Sequence, residues 1–432
     1  MHSIWEEEQL SRHEALSKDI HTDVLIIGGG MAGILCAHKL HQAGVDYVLV
    51  EKDELAKGVT GCTTAKITAQ HGLIYSKLIR RYGTLTAKGY LEANERAIQA
   101  YSNLCRQIDC DFEYTDNYVY SRNNKRKLTK EFLTLRTLGY PAEYVNPVSL
   151  PFPNVGAIRF PNQAQFHPLK FLSAISGPLH IYEHTAVREF VGMTAVTDCG
   201  TIYAKRIIVA THFPFLNKHG LYPLKLYQDR SYIIALEHAE NVKGMYVDEA
   251  HTGLSFRNYK NLLLIGGGSH RTGKPGGSWD ALRDIARKYY PNAVEKYRWA
   301  TQDCMSLDGI PYIGQYSENT EGLYVAAGFN KWGMTSSMVA SEILCDLVQG
   351  RENPYASIFS PARSILHPQL AVNGWKAAVS LLTPTARRCP HMGCALKWND
   401  TEHTWDCPCH GSRFTQDGKL IDNPATGDLP KK

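Results

Sequence analysis

Asp23-Val-Leu-Ile-Ile27, Gly28-Gly29-Gly30-Met31-Ala32-Gly33 and, after a helical run to about Ala43, Tyr47-Val-Leu-Val50-Glu51 together decide the fold of this chain. The first apolar run shows no polar alternation and reads as a strand buried on both faces. The glycines follow as G-x-G-x-x-G in the setting the pattern requires: strand, turn, helix, second strand and a terminal acid. Gly28 allows the tight turn, Gly30 lets the backbone approach a pyrophosphate, and Gly33 lets the helix close on the strand. Gly44 reads as the helix C-cap. The first helical turn offers unpaired N–H groups to phosphate oxygens. Glu51 would accept from a ribose 2′-OH and repel a 2′-phosphate, which disfavours NADP. A Gly-rich turn alone would say little, but the whole βαβ unit predicts a dinucleotide site.

A second run, Leu262-Leu-Leu-Ile-Gly266-Gly-Gly-Ser-His-Arg271, begins in the same way. Arg271 stands where the third glycine belongs, and the TGKPGGS that follows cannot start a helix. One dinucleotide site of this kind is therefore expected, not two. A chain of 432 residues suggests two or three domains. Its net charge of +5 is modest, and no basic block interleaves with aromatics, so nucleic acid is not an expected partner. MHSIWEEEQL is acidic and has no apolar core, so it does not read as a signal peptide, and no apolar run approaches a membrane span. Cys36, Cys62, Cys105, Cys110, Cys199, Cys304 and Cys345 are scattered without pairing rhythm, as in a reducing compartment. A cytoplasmic location is expected.

The remaining four cysteines crowd near the end, in Cys389-Pro-His391-Met-Gly-Cys394 and Cys407-Pro-Cys409-His410-Gly-Ser412. Two short Cys-plus-His pairs suit a cluster whose two irons are held differently, one by thiolates and one by imidazoles, which is the Rieske [2Fe–2S] arrangement. Tetrahedral zinc is the alternative, but zinc sites space their ligands as C-x₂₋₄-C and H-x₃₋₅-H, whereas each pair here mixes the two types. The segment resembles the Rieske iron–sulfur proteins, in the disulfide-containing subtype that reads C-x-H-x-x-C and C-P-C-H-G-S. That resemblance implies Cys389 and Cys407 on the inner iron, His391 and His410 on the outer one, and a Cys394–Cys409 disulfide. It also implies that Asn423-Pro424-Ala425 covers the cluster and that Ser412 donates to a bridging sulfide. Phe414 replaces the tyrosine of high-potential members, which implies a lowered potential. The strands that normally precede the first ligand loop are missing or cut down. Residues 370–382 read instead as a small amphipathic helix, with Leu370, Trp375, Val379 and Leu382 on related faces.

The identity of the dinucleotide follows from two later stretches. Residues Lys205 to Phe213 form a strand ending in Ala210-Thr211, and Leu323 to Ala327 form another before Gly328-Phe-Asn-Lys-Trp-Gly333-Met-Thr335 and a helix to about Val348. With Gly28–Glu51 these resemble the FAD-dependent oxidoreductases of the D-amino-acid oxidase and glycine/sarcosine oxidase superfamily, over roughly residues 20 to 360. The resemblance implies FAD held by Gly28, Gly30, Gly33, Glu51, Thr63, Thr64 and Val187. Gly328, Trp332, Gly333, Met334 and Thr335 would lie beside the flavin ring. A helix N-terminus at the pyrimidine end would be worth on the order of 1 kcal/mol to a negative charge there. His212 departs from the glycine that the family often has after Ala-Thr. Cys304-Met305 falls near the segment where sarcosine oxidases attach their flavin, but at shorter spacing, so Cys304 reads as a structural cysteine and the flavin as non-covalent. His71, Arg257, His270 and Arg271 are candidates to face substrate, an arginine being able to grip a carboxylate bidentately; taken singly, each reads more readily as a solvated or structural side chain.

The expected fold is an α/β Rossmann-like FAD-binding fold with an interleaved α+β substrate domain, followed by a small β-rich Rieske iron–sulfur domain. Residues 1–20 read as an N-terminal extension and 21–360 as the flavoprotein. Its FAD-binding segments are about 21–80, 150–215 and 300–350, and its substrate segments about 81–149 and 216–299. Residues 361–385 read as a linker with a helix and 386–432 as the Rieske domain. The chain is expected to oxidise an amine or amino acid and to pass electrons through the cluster to an external acceptor. The alternatives are an electron-transfer or redox-sensing module without turnover, or an oxidase whose Rieske segment is only structural.

Overall fold

The structure, a computed structural model, describes residues 2–216, 219–385 and 387–430, so Ala386 and the last two residues of the expected Rieske segment lie outside it. Strand Ile20–Ile27 is central in its sheet, with Tyr47–Val50 and Thr201–Val209 parallel to it on either side. That position accounts for its lack of polar alternation: Leu25 and Ile26 are fully buried although they point to opposite faces. Leu323–Ala327 extends the parallel set beyond Thr201–Val209, and Tyr312–Gln315 closes that edge antiparallel. Two helices, Met31–Gln42 and Gly333–Val348, pack against each other on this sheet. Each follows the C-terminal end of a parallel strand, so their N-termini open on the same edge. Ligands of open α/β sheets bind at that edge.

The second sheet has nine strands. Its order runs Val294–Ser306, Leu226–Glu237, Leu262–Arg271, Ser255–Tyr259, Met245–Asp248, Glu113–Tyr120, Ala157–Gln165 and Lys66–Ile67, with Glu143–Val145 beside Ala157–Gln165. Leu262–Arg271 is an antiparallel strand here, so the second glycine run opens no helix. The Pro-rich stretch 140–168 contains a nine-residue strand, Ala157–Gln165. Pro161 sits where the pairing with Glu113–Tyr120 shifts register, so its missing N–H disturbs no regular ladder bond.

Helix Pro368–Leu382 forms where expected but turns the other way. Trp375 is 72% exposed and Leu382 82%, while Asn373 and Ser380 are buried. The helix docks through Ala377, packed against the C-terminal apolar cluster, and through hydrogen bonds: Asn373 donates to Leu224 O at 3.0 Å and accepts from Arg271 at 2.8 Å. Among the described residues between 361 and 388, no strand precedes the first ligand loop. A four-stranded antiparallel sheet follows it, made of Lys397–Asn399, Thr404–Asp406, Arg413–Phe414 and Leu420–Asp422.

This small sheet is held to the large one by a buried ionic network. Arg230 donates from Nε to Glu402 at 2.9 Å and also from Nη2, while Arg413 reaches Glu402 at 2.8 Å, Asp406 at 3.1 Å and Asp422 at 3.1 Å. Burial would raise the Glu402 carboxyl, but the two guanidiniums prevail and hold it down to about 2. A depressed carboxyl contributes stability above its unfolded value, about 4.3, and loses it as pH falls through the folded value. Glu402→Gln is therefore expected to cost about 3–5 kcal/mol of C-terminal stability at neutral pH. The gap between wild type and variant should close between about pH 4.3 and pH 2, which urea unfolding followed through limited proteolysis of the C-terminal region would show.

Candidate functional site

One cavity of about 650 Å³ runs along the C-terminal edge of the parallel sheet. Gly28 through Ala32 form part of its wall, in a geometry that fits the dinucleotide reading. Gly28 has φ +112°, and a Cβ there would lie 2.6 Å from Ala210 O. A Cβ on Gly33 would stand 1.9 Å from Gly28 O, so this glycine is required by helix–strand packing and does not line the cavity. A Cβ on Gly30 would meet only Thr60 Oγ1, at 3.3 Å. The helix's first N–H, that of Met31, donates to Thr60 Oγ1 at 3.1 Å, and no cap side chain at Gly30 pairs those that follow it. Glu51 lines the wall and accepts from Gly29 N–H at 2.6 Å and Asp53 N–H at 3.0 Å.

Thr63, Thr64, Val187, Trp332, Gly333 and Met334 line the same cavity, whereas Gly328 and Thr335 stand behind it. The loop through Thr63 and Thr64 is gripped from outside, at four successive carbonyls. Trp299 Nε1 donates to Cys62 O at 2.9 Å and Trp5 Nε1 to Thr63 O at 2.8 Å. Arg257 Nη1 donates to Thr64 O at 2.6 Å and Ala65 O at 2.9 Å. Arg257 is thus a buried anchor of this loop and not part of the cavity wall, and burial pushes its guanidinium down to about 9. Trp5 and Trp299 carried no sequence signal for this role.

His71 does line the cavity, stacked on Trp332 at 5.0 Å. Burial lowers its pKa to about 3, so the ring is neutral; we assign Nε2–H as donor to Thr68 O at 2.8 Å and Nδ1 as acceptor from Tyr90 OH at 2.6 Å. Thr335 Oγ1 completes the set at 3.0 Å from Nε2. His270 lies outside the cavity, stacked on Tyr232. Cys304 is buried in an apolar cluster behind its strand while Met305 faces the cavity.

Arg271 has a different position from the one expected of a substrate group. Its Nε donates to Pro408 O at 3.0 Å and its Nη2 to Cys409 O at 2.8 Å. Gln228 Nε2 donates to His410 O at 2.8 Å and Gln302 Nε2 to Gly411 O at 2.9 Å. Four consecutive carbonyls of the second Cys/His loop are thereby bound by three side chains of the large sheet. The missing base strands are replaced by this surface.

Within the two loops, the Cys389 and Cys407 thiols hydrogen-bond each other, and the rings of His391 and His410 lie 4.9 Å apart. Cys389, Cys407 and His410 are 3% exposed or less, and His410 Nδ1 is buried without a hydrogen-bond partner. Two juxtaposed thiols, two juxtaposed imidazoles and an orphaned ring nitrogen fit a [2Fe–2S] cluster with mixed ligands. Ser412 Oγ accepts from Ala425 N–H at 3.0 Å, tying the Asn423–Ala425 loop to the ligand loop. The Cys394–Cys409 disulfide is not formed in this structure: both are thiols, with their sulfurs and that of Cys407 within 4.8 Å of one another.

The cavity and the ligand loops adjoin. Leu420 through Asn423, Ala425 and Thr426 line the cavity, and Asn423 Nδ2 donates to Thr211 O at 2.6 Å and Phe213 O at 2.9 Å. Phe213 in turn packs edge-on to His410 at 6.1 Å. The departure at His212 falls in this junction, since the residue lines the cavity and its Nε2 is buried.

Residues 23–347 match the family model described as FAD dependent oxidoreductase, and residues 378–431 match that of the Rieske [2Fe-2S] domain. The chain is 36% identical over 478 residues to YhfW of Bacillus subtilis (strain 168), named as a Rieske 2Fe-2S iron-sulfur protein, with 96% of this chain and 94% of that one covered. It is 23% identical over 381 residues to gamma-glutamylputrescine oxidoreductase of Escherichia coli (strain K12), covering 78% and 86%. The crystal structure of glycine oxidase from Geobacillus kaustophilus superposes with a TM-score of 0.67 at 20% identity, over 80% of this chain and 99% of that one.

Proposed function

The chain belongs to the FAD dependent oxidoreductase family and carries a Rieske [2Fe-2S] domain, and on that premise we propose that it oxidises an amine or amino acid and delivers the electrons to an external acceptor. Its cofactors are FAD and a [2Fe–2S] cluster. When bound, FAD supplies a two-electron acceptor and the cluster a one-electron carrier. The observation that carries this reading is the shared wall, in which residues Leu420–Asn423 of the C-terminal part close the cavity that Gly28–Met31 open. A segment kept only for structure would not need mixed Cys/His loops buried against that wall.

The residues divide the work. Gly28, Gly30 and the N-terminus of helix Met31–Gln42 would hold the pyrophosphate, Glu51 the ribose and Val187 the adenine end. Thr63, Thr64, Trp332, Gly333 and Met334 would hold the ring, non-covalently, since Cys304 faces the apolar cluster. Neutral His71 shapes the ring end and carries no charge into it. Cys389, His391, Cys407 and His410 would ligate the cluster. Residues 21–360 would then be the flavoprotein, 386–432 the cluster domain and 361–385 the connection. The named activity of the Escherichia coli relative supports an amine as the oxidised group.

The test is an anaerobic mixing of purified protein with amines and amino acids, followed by visible and EPR spectra. The expected result is bleaching of the flavin bands and, with no other reductant, a Rieske-type signal. Flavin left oxidised by every compound would leave an electron-transfer module without turnover. We further propose that Cys394 and Cys409, already side by side, form a disulfide in the cluster-loaded protein, where buried loops shield it from thiol exchange. Mass spectrometry after rapid alkylation should find neither labelled; two labelled thiols in holoprotein would refute the bridge.

A further inference from the structure

The cavity end walled by Leu226–Glu237, Leu262–Arg271 and Val294–Ser306 has a distinct charge pattern. None of the arginines in these strands lines it, and the guanidiniums that could have gripped a carboxylate, Arg257 and Arg271, are held by backbone carbonyls elsewhere. Most carboxylates in or beside this end are already partnered. Glu249 pairs with Lys127 at 2.7 Å, Asp229 with His251 at 2.5 Å, and Asp248 accepts from Ala250 N–H at 3.0 Å. Asp303 is different: it lines the cavity, and its interactions with Lys331, Asp229 and Arg230 are those of charge rather than hydrogen bonds. Two residues earlier on the same strand, and so on the same face, Thr301 also lines the cavity, with a buried hydroxyl that has no hydrogen-bond partner. Lys331 reaches this end from the turn before the last flavoprotein helix, and its Nζ donates to Ser231 Oγ at 3.1 Å and Ser269 Oγ at 2.6 Å.

We propose that Thr301 and Asp303 form an ammonium subsite, that the substrate is an amine cation without an α-carboxylate, and that Asp303 takes its proton. The inference rests on the amine-oxidising reading above and narrows it. An ammonium brings donors, and this wall offers two acceptors in need of one. A substrate carboxylate would instead face the Asp303 carboxylate with no bidentate donor to hold it. The step moves one proton from the ammonium nitrogen to a carboxylate oxygen and moves no electrons. It leaves a neutral amine, the form whose lone pair would assist loss of a neighbouring hydride when a two-electron acceptor is bound. The groups facing Asp303 set its titration: burial raises it most, Lys331 opposes, Asp229 (itself bound to His251) raises it, and Arg230 lowers it. The outcome is about 6, so the carboxylate is ionised at neutral pH.

The experiment uses the full-length holoprotein and follows anaerobic flavin bleaching by n-butylamine, 1,4-diaminobutane, glycine and L-alanine. The two amines should bleach it and the two amino acids should not. The rate with limiting butylamine should fall as pH drops through about 6. Asp303→Asn should slow bleaching about 100-fold or more and abolish that pH limb, and Asp303→Glu should restore the limb. Thr301→Val should weaken butylamine binding about tenfold without moving the limb, the loss expected for one hydrogen bond to a charged group; it also decides the case if Asp303→Asn loses its flavin. Bleaching by the amino acids alone would overturn this inference and leave the oxidoreductase reading standing. Bleaching by none would remove both. Wild-type rates and an intact limb in Asp303→Asn would also overturn the subsite.

Discussion

Gly30→Val is expected to yield folded protein that contains no flavin. A Cβ at Gly30 would approach only Thr60 Oγ1, at 3.3 Å, so the chain can accommodate the substitution by a small side-chain adjustment. The added methyl groups must then extend into the cavity, at the place where the backbone has to approach a pyrophosphate. Binding rather than folding is lost. Gly33→Val provides the contrast, because its Cβ would stand 1.9 Å from the backbone oxygen of Gly28 and the βαβ unit could not close. Absorbance at the flavin bands beside circular dichroism separates the two: native secondary structure without flavin for the first, no soluble folded protein for the second. Normal flavin content in Gly30→Val would remove the dinucleotide site from this position.

Arg271→Leu is expected to strip iron from the protein while flavin remains. The guanidinium is the shared donor to Pro408 O, Cys409 O and Asn373 Oδ1, and it is only 8% exposed. Each acceptor left unpaired in such a site costs about 1–3 kcal/mol. The cost falls on the loop that carries Cys407 and His410. Gln228 and Gln302 still hold His410 O and Gly411 O, so the loss is centred on Pro408 and Cys409. Iron and sulfide per chain should fall well below the wild-type ratio at equal flavin content, with loss of the EPR signal after reduction. Arg271→Lys should rescue poorly, since an ammonium cannot reproduce the fork that spans two carbonyls. Full iron content in Arg271→Leu would show that the loop holds its cluster without the large sheet.

Both sites announce themselves in sequence because their chemistry is local. The turn, the close approach and the helix N-terminus of Gly28–Gly33 all arise within six residues, and each Cys/His pair lies within four. Residues brought together by the large sheet are another matter. Arg271 shows in the sequence as the residue that spoils a second glycine fingerprint, in keeping with the antiparallel strand Leu262–Arg271, and as a substrate candidate, a role its bonds to Pro408 O and Cys409 O exclude. Nothing nearby in the chain says that its side chain meets a loop more than a hundred residues later. Gln228 and Gln302 have no motif at all.

Helix Pro368–Leu382 shows the same limit from the other side. Its apolar spacing correctly predicts a helix with one apolar face, but periodicity states which residues share a face and not what covers it. In the folded chain Asn373 and Ser380 take the buried side because carbonyls and a guanidinium are there to meet them, while Trp375 faces outward. The sequence by itself determined the parallel βαβ core, the glycine turn and the presence of a C-terminal Rieske segment, all carried by patterns among near neighbours. Only the tertiary structure decided that Arg257 and Arg271 serve as anchors, that Leu420–Asn423 of the C-terminal part wall the cavity, and that Thr301 faces it with an unpaired hydroxyl beside Asp303. Those outcomes depend on which distant strand edges and loops come to lie together, and that is settled by burial and hydrogen-bond satisfaction over the whole chain.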